Sequence, residues 1–202
     1  MVVLQLIEKV DTTSYFKLTN MAQYVPFEDG VEVNGQTVLA FVNALPMFRD
    51  DMLGILQRHG IENPQEGEWY EQVCWLNAFK EIGEKYGANT LFAIGKAIPE
   101  NADFPPDINT LEKALASIDV AYHMNHRQGE IGYYKLVKFN EEDKLAIMEC
   151  RNPYPSNFDR GIITTMARKF KPPRVLMINV AIDTSKPSRL DGADVCTYRI
   201  TW

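Results

Sequence analysis

The apolar positions between residues 68 and 87 recur with the period of an α-helix. Leu76, Phe79 and Ile82 fall on one side of such a helix, and lysine and glutamate residues fall on the other side. Gly87 follows the last apolar position, and glycine is suited to end a helix. The pattern therefore predicts an amphipathic helix whose apolar side faces the core.

The same period predicts further helices on both sides of this segment. Residues 36–60 are rich in apolar side chains and are interrupted by Pro46, which favours two helices in place of one. A short helix is predicted directly after Gly87. A longer helix is predicted within residues 105–129, where Asn109 is placed to cap the first turn.

After residue 130 the pattern changes to the two-residue alternation of β-strands. Strands are predicted over residues 132–139, 144–151, 175–182 and 196–202. Ser156 stands where a helix is predicted to begin between the second and the third of them. The C-terminal half is thus a β-β-α-β-β unit. The predicted fold class is α+β, with N-terminal helices packed on a mostly antiparallel sheet.

Composition and charge exclude several classes of protein. The formal net charge of −6 argues against a nucleic-acid-binding protein and gives no attraction to anionic lipid. The N-terminus lacks the basic start of a signal peptide, and no apolar run is long enough for a membrane helix. Three cysteines do not make a disulfide framework and suit a reducing compartment. We therefore expect a cytoplasmic protein without membrane insertion.

Cys150 and Cys196 are the residues that could point to a metal site. Both alternate in step with apolar residues of their predicted strands, and the chain contains no C-x-x-C motif. Free cysteine behaves as a small apolar residue and is among the most buried residue types. We therefore predict that both are core residues, with a metal site at this pair as the weaker alternative.

Two segments of the C-terminal half carry a family resemblance. "NPYPSNFDRGIITTMARKF" and "KPSRLDGADVCTYRITW" resemble the 4-vinyl reductase domain family, which is related to the heme-NO-binding-like and Golgi-transport folds. The resemblance implies a helical layer on an antiparallel sheet, a small apolar ligand pocket, dimerisation and a sensory role. Some relatives carry a cysteine-based metal site, but Ser188 stands here where they have a further cysteine.

The resemblance also bears on domain organisation. We expect one domain over residues 1–202, in which residues 1–67 form an N-terminal arm and helices. Residues 68–202 are expected to hold the ligand. The first 35 residues show short β-like runs separated by turn signals.

Aromatic residues and one histidine are the candidates for a ligand pocket, although such residues at helical or strand spacing are most often plain core. They are Trp75, Tyr122, His126, Tyr134 and Phe158. His123 and His126 both fall near the end of a predicted helix, where histidine can bond the last carbonyl groups. We favour this capping role, with contact to a ligand as the alternative for His126. Heme ligation by either histidine is not expected.

The chain lacks the usual signatures of catalysis. It has no Ser-His-Asp pattern, no G-x-S-x-G elbow and no P-loop. This absence favours a binding protein over an enzyme, without excluding catalysis. Together with the resemblance, which implies an apolar pocket, dimerisation and a sensory role, it leads us to expect a sensor or adaptor that binds a small apolar or aromatic molecule and forms a homodimer. The alternatives are a tetrapyrrole vinyl-reductase-like enzyme or accessory protein, and a structural protein–protein module. No cofactor is predicted, and neither zinc nor heme is expected.

Overall fold

The structure is a computed structural model that describes residues 23–202. The β-like runs predicted within residues 1–22 lie outside the described residues. The helices of the described part are α1 (Gly35–Asn43), α2 (Arg49–Arg58), α3 (Gln72–Tyr86), α4 (Ala88–Glu100), α5 (Leu111–Met124) and α6 (Ser156–Lys169). None of them is long and apolar enough to cross a bilayer.

The strands of the described residues form two antiparallel sheets. A small sheet with the order β2-β1-β3 contains β1 (Glu32–Asn34), β2 (Trp69–Glu71) and β3 (His126–Arg127). A larger sheet with the order β4-β5-β7-β6 contains β4 (Tyr133–Asn140), β5 (Leu145–Arg151), β6 (Asn179–Ile182) and β7 (Cys196–Thr201). The predicted α+β class and the C-terminal β-β-α-β-β unit are confirmed.

Two predicted boundaries differ from the structure. The helix predicted within residues 105–129 is capped by Thr110, whose Oγ1 accepts from the Lys113 amide at 3.2 Å, in place of Asn109. The third predicted strand begins only at Asn179, because Asn179 pairs with Thr201 at the very end of β7. Residues before Asn179 therefore have no partner strand, and they remain outside the sheet.

The backbones of α4 and α6 approach each other unusually closely at two glycines. A Cβ atom on Gly95 would lie 2.1 Å from the Phe158 carbonyl oxygen, and one on Gly161 would lie 2.3 Å from the Phe92 carbonyl oxygen. Both obstacles are backbone atoms, which cannot rotate away. The crossing therefore requires glycine at both positions, and it fixes α6 against α4 beneath the sheet.

Alanine at Gly95 is expected to destabilise the protein although alanine favours helices. The free energy of unfolding should fall by about 1–3 kcal/mol, because the helices must separate to admit the methyl group. Gly54 in α2 is the matched control, since only the mobile end of Arg58 lies near its would-be Cβ, at 3.7 Å. Gly54→Ala should raise stability by about 0.5–1 kcal/mol. Equal effects of the two variants in urea unfolding would contradict this account of the crossing.

Candidate functional site

A buried aromatic cluster joins three helices to the segment that follows β5. Tyr154 lies at its centre, with ring centroids 5.8 Å from Phe79, 5.6 Å from Phe158 and 5.6 Å from His126. We call it the Tyr154 cluster; its members are Trp75, Phe79, Tyr122, His126, Tyr134, Tyr154 and Phe158. All seven side chains are buried.

The five residues predicted to contact a ligand thus meet in one place. The ring centroids of Trp75 and Phe158 lie 4.7 and 5.0 Å from the ring centroid of Phe79. Tyr122 lies between His126 and Tyr134, with ring-centroid distances of 4.4 Å to the first and 5.1 Å to the second. Their proximity is a property of the fold, and their role in binding stays a prediction.

The sequence did not reveal the two residues that connect the others. Phe79 was predicted only as part of the apolar side of its helix. Tyr154 stands between Pro153 and Pro155 in a short stretch outside any predicted element. Proline fixes the backbone on both sides and prevents a helix or an inner strand there. An aromatic residue held between two prolines is the signal that could have identified Tyr154.

The hydrogen bonds of His126 define its tautomer. Its Nδ1 lies 2.8 Å from the Tyr122 carbonyl oxygen, which can only accept, so Nδ1 carries the proton. In the neutral ring Nε2 then has a lone pair, which accepts from the Tyr154 hydroxyl at 2.6 Å. A histidine that donates Nδ1–H to a carbonyl and presents Nε2 has the arrangement found in metal-ligating histidines.

Burial keeps this imidazole neutral. Removal from water lowers the pKa of His126 to about 4, although the hydrogen bond to the Tyr122 carbonyl raises it in part. A neutral imidazole is the form that binds a metal. His126 is therefore in its ligand form throughout the neutral pH range.

The low pKa of His126 makes stability depend on pH. The unfolded chain binds a proton at the ordinary histidine pKa, whereas the folded chain does so only near pH 4, so acid favours unfolding between the two values. We expect the wild-type protein, without added ligand, to lose about 2 kcal/mol of unfolding free energy from this group between about pH 7 and about pH 5.

The control for this prediction is another histidine of the same region. His126→Gln should remove this part of the pH dependence. His123→Gln should leave most of it, because His123 is exposed and is the smallest of the causes that set the His126 pKa. The measurement is urea unfolding followed by circular dichroism at both pH values. A wild-type slope that survives in His126→Gln would contradict the assignment.

His123 does occupy the capping position predicted for it. Its Nδ1 lies 2.9 Å from the Asp119 carbonyl oxygen in the last turn of α5. His126 bonds the Tyr122 carbonyl in the same way, but it belongs to β3 and lies inside the protein. Both histidines therefore hold helix-end carbonyls, and of the two only His126 faces the cluster.

Two further polar atoms beside the cluster lack partners among the described residues. They are Oε1 of Gln72 and Nε1 of Trp75, both on α3. Gln72 also donates from Nε2 to the Tyr154 hydroxyl at 3.4 Å. Buried polar groups are normally hydrogen-bonded, and unpaired ones need an explanation such as a ligand. The Trp75 indole lies within reach of the Tyr154 hydroxyl, although without good hydrogen-bond geometry, so the unused hydrogen-bonding capacity on the α3 side of Tyr154 is chiefly that of Gln72 Oε1.

A buried ion pair lies next to the cluster. The Arg189 guanidinium donates to the Asp159 carboxylate and to Asn152, and both members of the pair are fully buried. Tyr134 also donates its hydroxyl to Asp159, at 2.5 Å. Burial by itself lowers the pKa of Arg189, but the Asp159 carboxylate and the other buried ionisable groups nearby together raise it by more, so the pKa lies well above its ordinary value. The pair ties the segment containing Arg189 to the start of α6.

Cys150 and Cys196 lie opposite each other on β5 and β7. Both are fully buried, which confirms the prediction that they are core residues. The Cys196 sulfur lies 3.0 Å from the Ser156 hydroxyl and accepts from the Arg189 amide at 3.4 Å. Within residues 23–202 no group of three potential metal-binding side chains comes together. Burial raises the pKa of the Cys150 thiol, which keeps it protonated.

The aromatic rings of the cluster pack directly against one another. Two open surface hollows within residues 23–202 have volumes of about 270 and 370 Å³, and no member of the cluster lines either of these two. In the structure the Tyr154 hydroxyl occupies the position next to the His126 lone pair. A ligand that reaches this nitrogen therefore has to displace the Tyr154 side chain.

The fold is shared with solved H-NOX structures. An H-NOX protein from S. oneidensis in the Fe(II) state superposes with a TM-score of 0.64 at 11% identity, over 83% of this chain and 95% of that one. A structure from a study of heme distortion in the H-NOX family superposes with a TM-score of 0.62 at 18% identity, over 84% of this chain and 94% of that one. A mutant of the T. tengcongensis H-NOX protein superposes with a TM-score of 0.59 at 15% identity, over 82% of this chain and 94% of that one.

At these identities the likeness concerns the fold. No protein-family profile matches the chain, and curated protein sequences give no significant match. The predicted relation to the heme-NO-binding-like fold is confirmed, whereas the 4-vinyl reductase label finds no support.

The prediction that excluded heme is wrong. It depended on the lack of any sequence signal for a deep apolar cleft, yet the chain has the fold of proteins in which heme is bound and distorted. His126 also fits the group, because a neutral imidazole is an axial ligand of heme iron. The sequence signal was missed because His126 lies in β3, a strand of two residues, and is enclosed by Tyr122 of α5 and by Tyr154 after β5.

Proposed function

We propose that this chain is a ligand-binding sensor domain whose ligand is a heme, bound at the Tyr154 cluster. The observation that carries the proposal is the state of His126, a buried neutral imidazole with Nδ1–H fixed on a carbonyl and an Nε2 lone pair. The fold of the H-NOX structures, one of which is described in an Fe(II)NO state, gives independent support.

The residues of the cluster have distinct roles in this proposal. His126 would hold the heme iron through its Nε2 nitrogen, and the Tyr154 side chain would leave its position beside that nitrogen. Trp75, Phe79 and Phe158 supply an apolar aromatic lining, which keeps water from the ligand. A bound heme supplies an iron at which a small gas molecule can bind.

A signal can leave the site through the segment that holds Tyr154. The Tyr154 amide donates to Asn152 Oδ1 at 2.9 Å, and Asn152 in turn accepts from Arg189. Displacement of Tyr154 therefore disturbs the buried ion pair. Ligand binding changes the equilibrium between two states only if it contacts them differently, and the position of Tyr154 provides that difference.

The test is whether the purified chain retains and binds heme. Native mass spectrometry of protein from cells supplied with a heme precursor should show one heme per chain. Titration of heme-free protein with hemin should give a saturable absorption band at the same stoichiometry. A chain that retains no heme and takes up hemin only without saturation would rule out the proposal.

The earlier expectation of a small apolar or aromatic ligand is replaced by this proposal. The homodimer, the cytoplasmic location and the single domain stay predictions from the sequence.

A further inference from the structure

Five cations surround the end of α6 and the segment that follows it. They are Lys96, Arg168, Lys169, Lys171 and Arg174, which we call the basic rim. Arg168 lines both surface hollows, with Lys171 in one and Lys96 and Lys169 in the other. Glu100 is the opposing charge in the second hollow, 3.8 Å from Lys96. The rim is thus strongly positive on a chain of net negative charge.

Two large apolar side chains project beside the basic rim. Leu176 and Met177 are 92% and 83% exposed, and both line the first hollow. They precede β6 in a stretch that has no partner strand, where a turn bonds the Val175 amide to the Pro172 carbonyl at 3.2 Å. Exposed apolar side chains on this scale mark an interaction site when they lie together.

A buried hydroxyl also lines the second hollow. Thr165 is 6% exposed, and its Oγ1 has no hydrogen-bond partner among the described residues. A hydroxyl beside several cations can donate to a phosphate oxygen. The hollow thus combines charge and a free donor of the kind that phosphate groups require.

We propose that this face docks onto the surface of a membrane that contains anionic phospholipids. Leu176 and Met177 enter the outer acyl region, and the basic rim contacts the lipid phosphates. A peptide groove is a poorer fit, because the two apolar side chains project outward and the hollows beside them are open. The net charge does not prevent docking, since salt screens distant charges within about 8 Å.

The test is co-sedimentation of the full chain with phospholipid vesicles. Vesicles of phosphatidylcholine with roughly one third phosphatidylserine should bind the protein at least about tenfold more tightly than pure phosphatidylcholine. Lys171→Glu/Arg174→Glu and Leu176→Ser/Met177→Ser should each weaken that binding about tenfold or more. All four side chains are exposed, so these variants should fold normally.

The matched control lies on the opposite edge of the larger sheet. Lys135→Glu/Lys138→Glu and Val137→Ser change exposed residues of β4 and should leave vesicle binding unchanged. Loss of binding in the controls, or equal binding to uncharged vesicles, would overturn the proposal. Tight binding of an acidic peptide or of inorganic phosphate would also overturn the proposal, if its affinity equalled that for vesicles and Leu176→Ser/Met177→Ser did not change it.

Discussion

Replacing His126 with alanine should weaken hemin binding by more than about 100-fold. Even the loss of a group that only orients a metal ligand costs 10–100-fold, and here the ligand itself is removed. The measurement is hemin titration followed by absorbance. His123→Ala is the matched control, because His123 is exposed and belongs to the same helix end, and it should bind hemin like the wild type.

Two further variants distinguish the loss of the iron ligand from a loss of the folded structure. In His126→Gly, imidazole added to the solution should restore the absorption band, which a merely misfolded protein would not do. Tyr154→Phe removes the hydroxyl that occupies the His126 lone pair, and should bind hemin at least as tightly as the wild type. Hemin binding that is equal in His126→Ala and wild type would exclude His126 as the ligand.

Arg189→Met should lower the free energy of unfolding by about 3–5 kcal/mol. It leaves the Asp159 carboxylate buried without its partner, and an unpaired buried charge is among the costliest defects in a protein. Asp159→Asn should have an effect of similar size. Urea unfolding at neutral pH gives the values directly.

An exposed ion pair provides the comparison. Lys85 and Asp51 lie 2.6 Å apart and their side chains are 46% and 38% exposed, so water screens the pair and Lys85→Met should cost at most about 1 kcal/mol. The double variant Arg189→Met/Asp159→Asn should cost less than the sum of the single variants, because each of them already breaks the same pair. A small effect of Arg189→Met, equal to that of Lys85→Met, would show that the buried pair is not required.

The parts of the fold that could be predicted are those with a sustained pattern. In β5 and β7 the apolar residues stand at alternate positions and are buried, so the chain itself shows where these strands lie. The small sheet was not predicted because its strands have only two or three residues, too few for any alternation. Its pairing depends on contacts between distant segments.

Of the candidate site, only the residues that lie on regular elements could be predicted. Trp75 and Tyr122 lie on regular helices, so their inward direction follows from spacing. Tyr154 belongs to no regular element, and its central place comes from the tertiary fold. Arg189 stands in a polar stretch that was predicted only as a connection, and nothing local indicates that its charge is neutralised inside the protein.

The burial of Arg189 has a consequence for limited proteolysis. The stretch from residue 183 to 195 has the composition of a surface connection, which proteases usually cut. Trypsin cleaves poorly at Lys186 because Pro187 follows it, and Arg189 is enclosed with Asp159. The stretch should therefore withstand digestion as long as the interior holds together, and its cutting would report that the interior has opened.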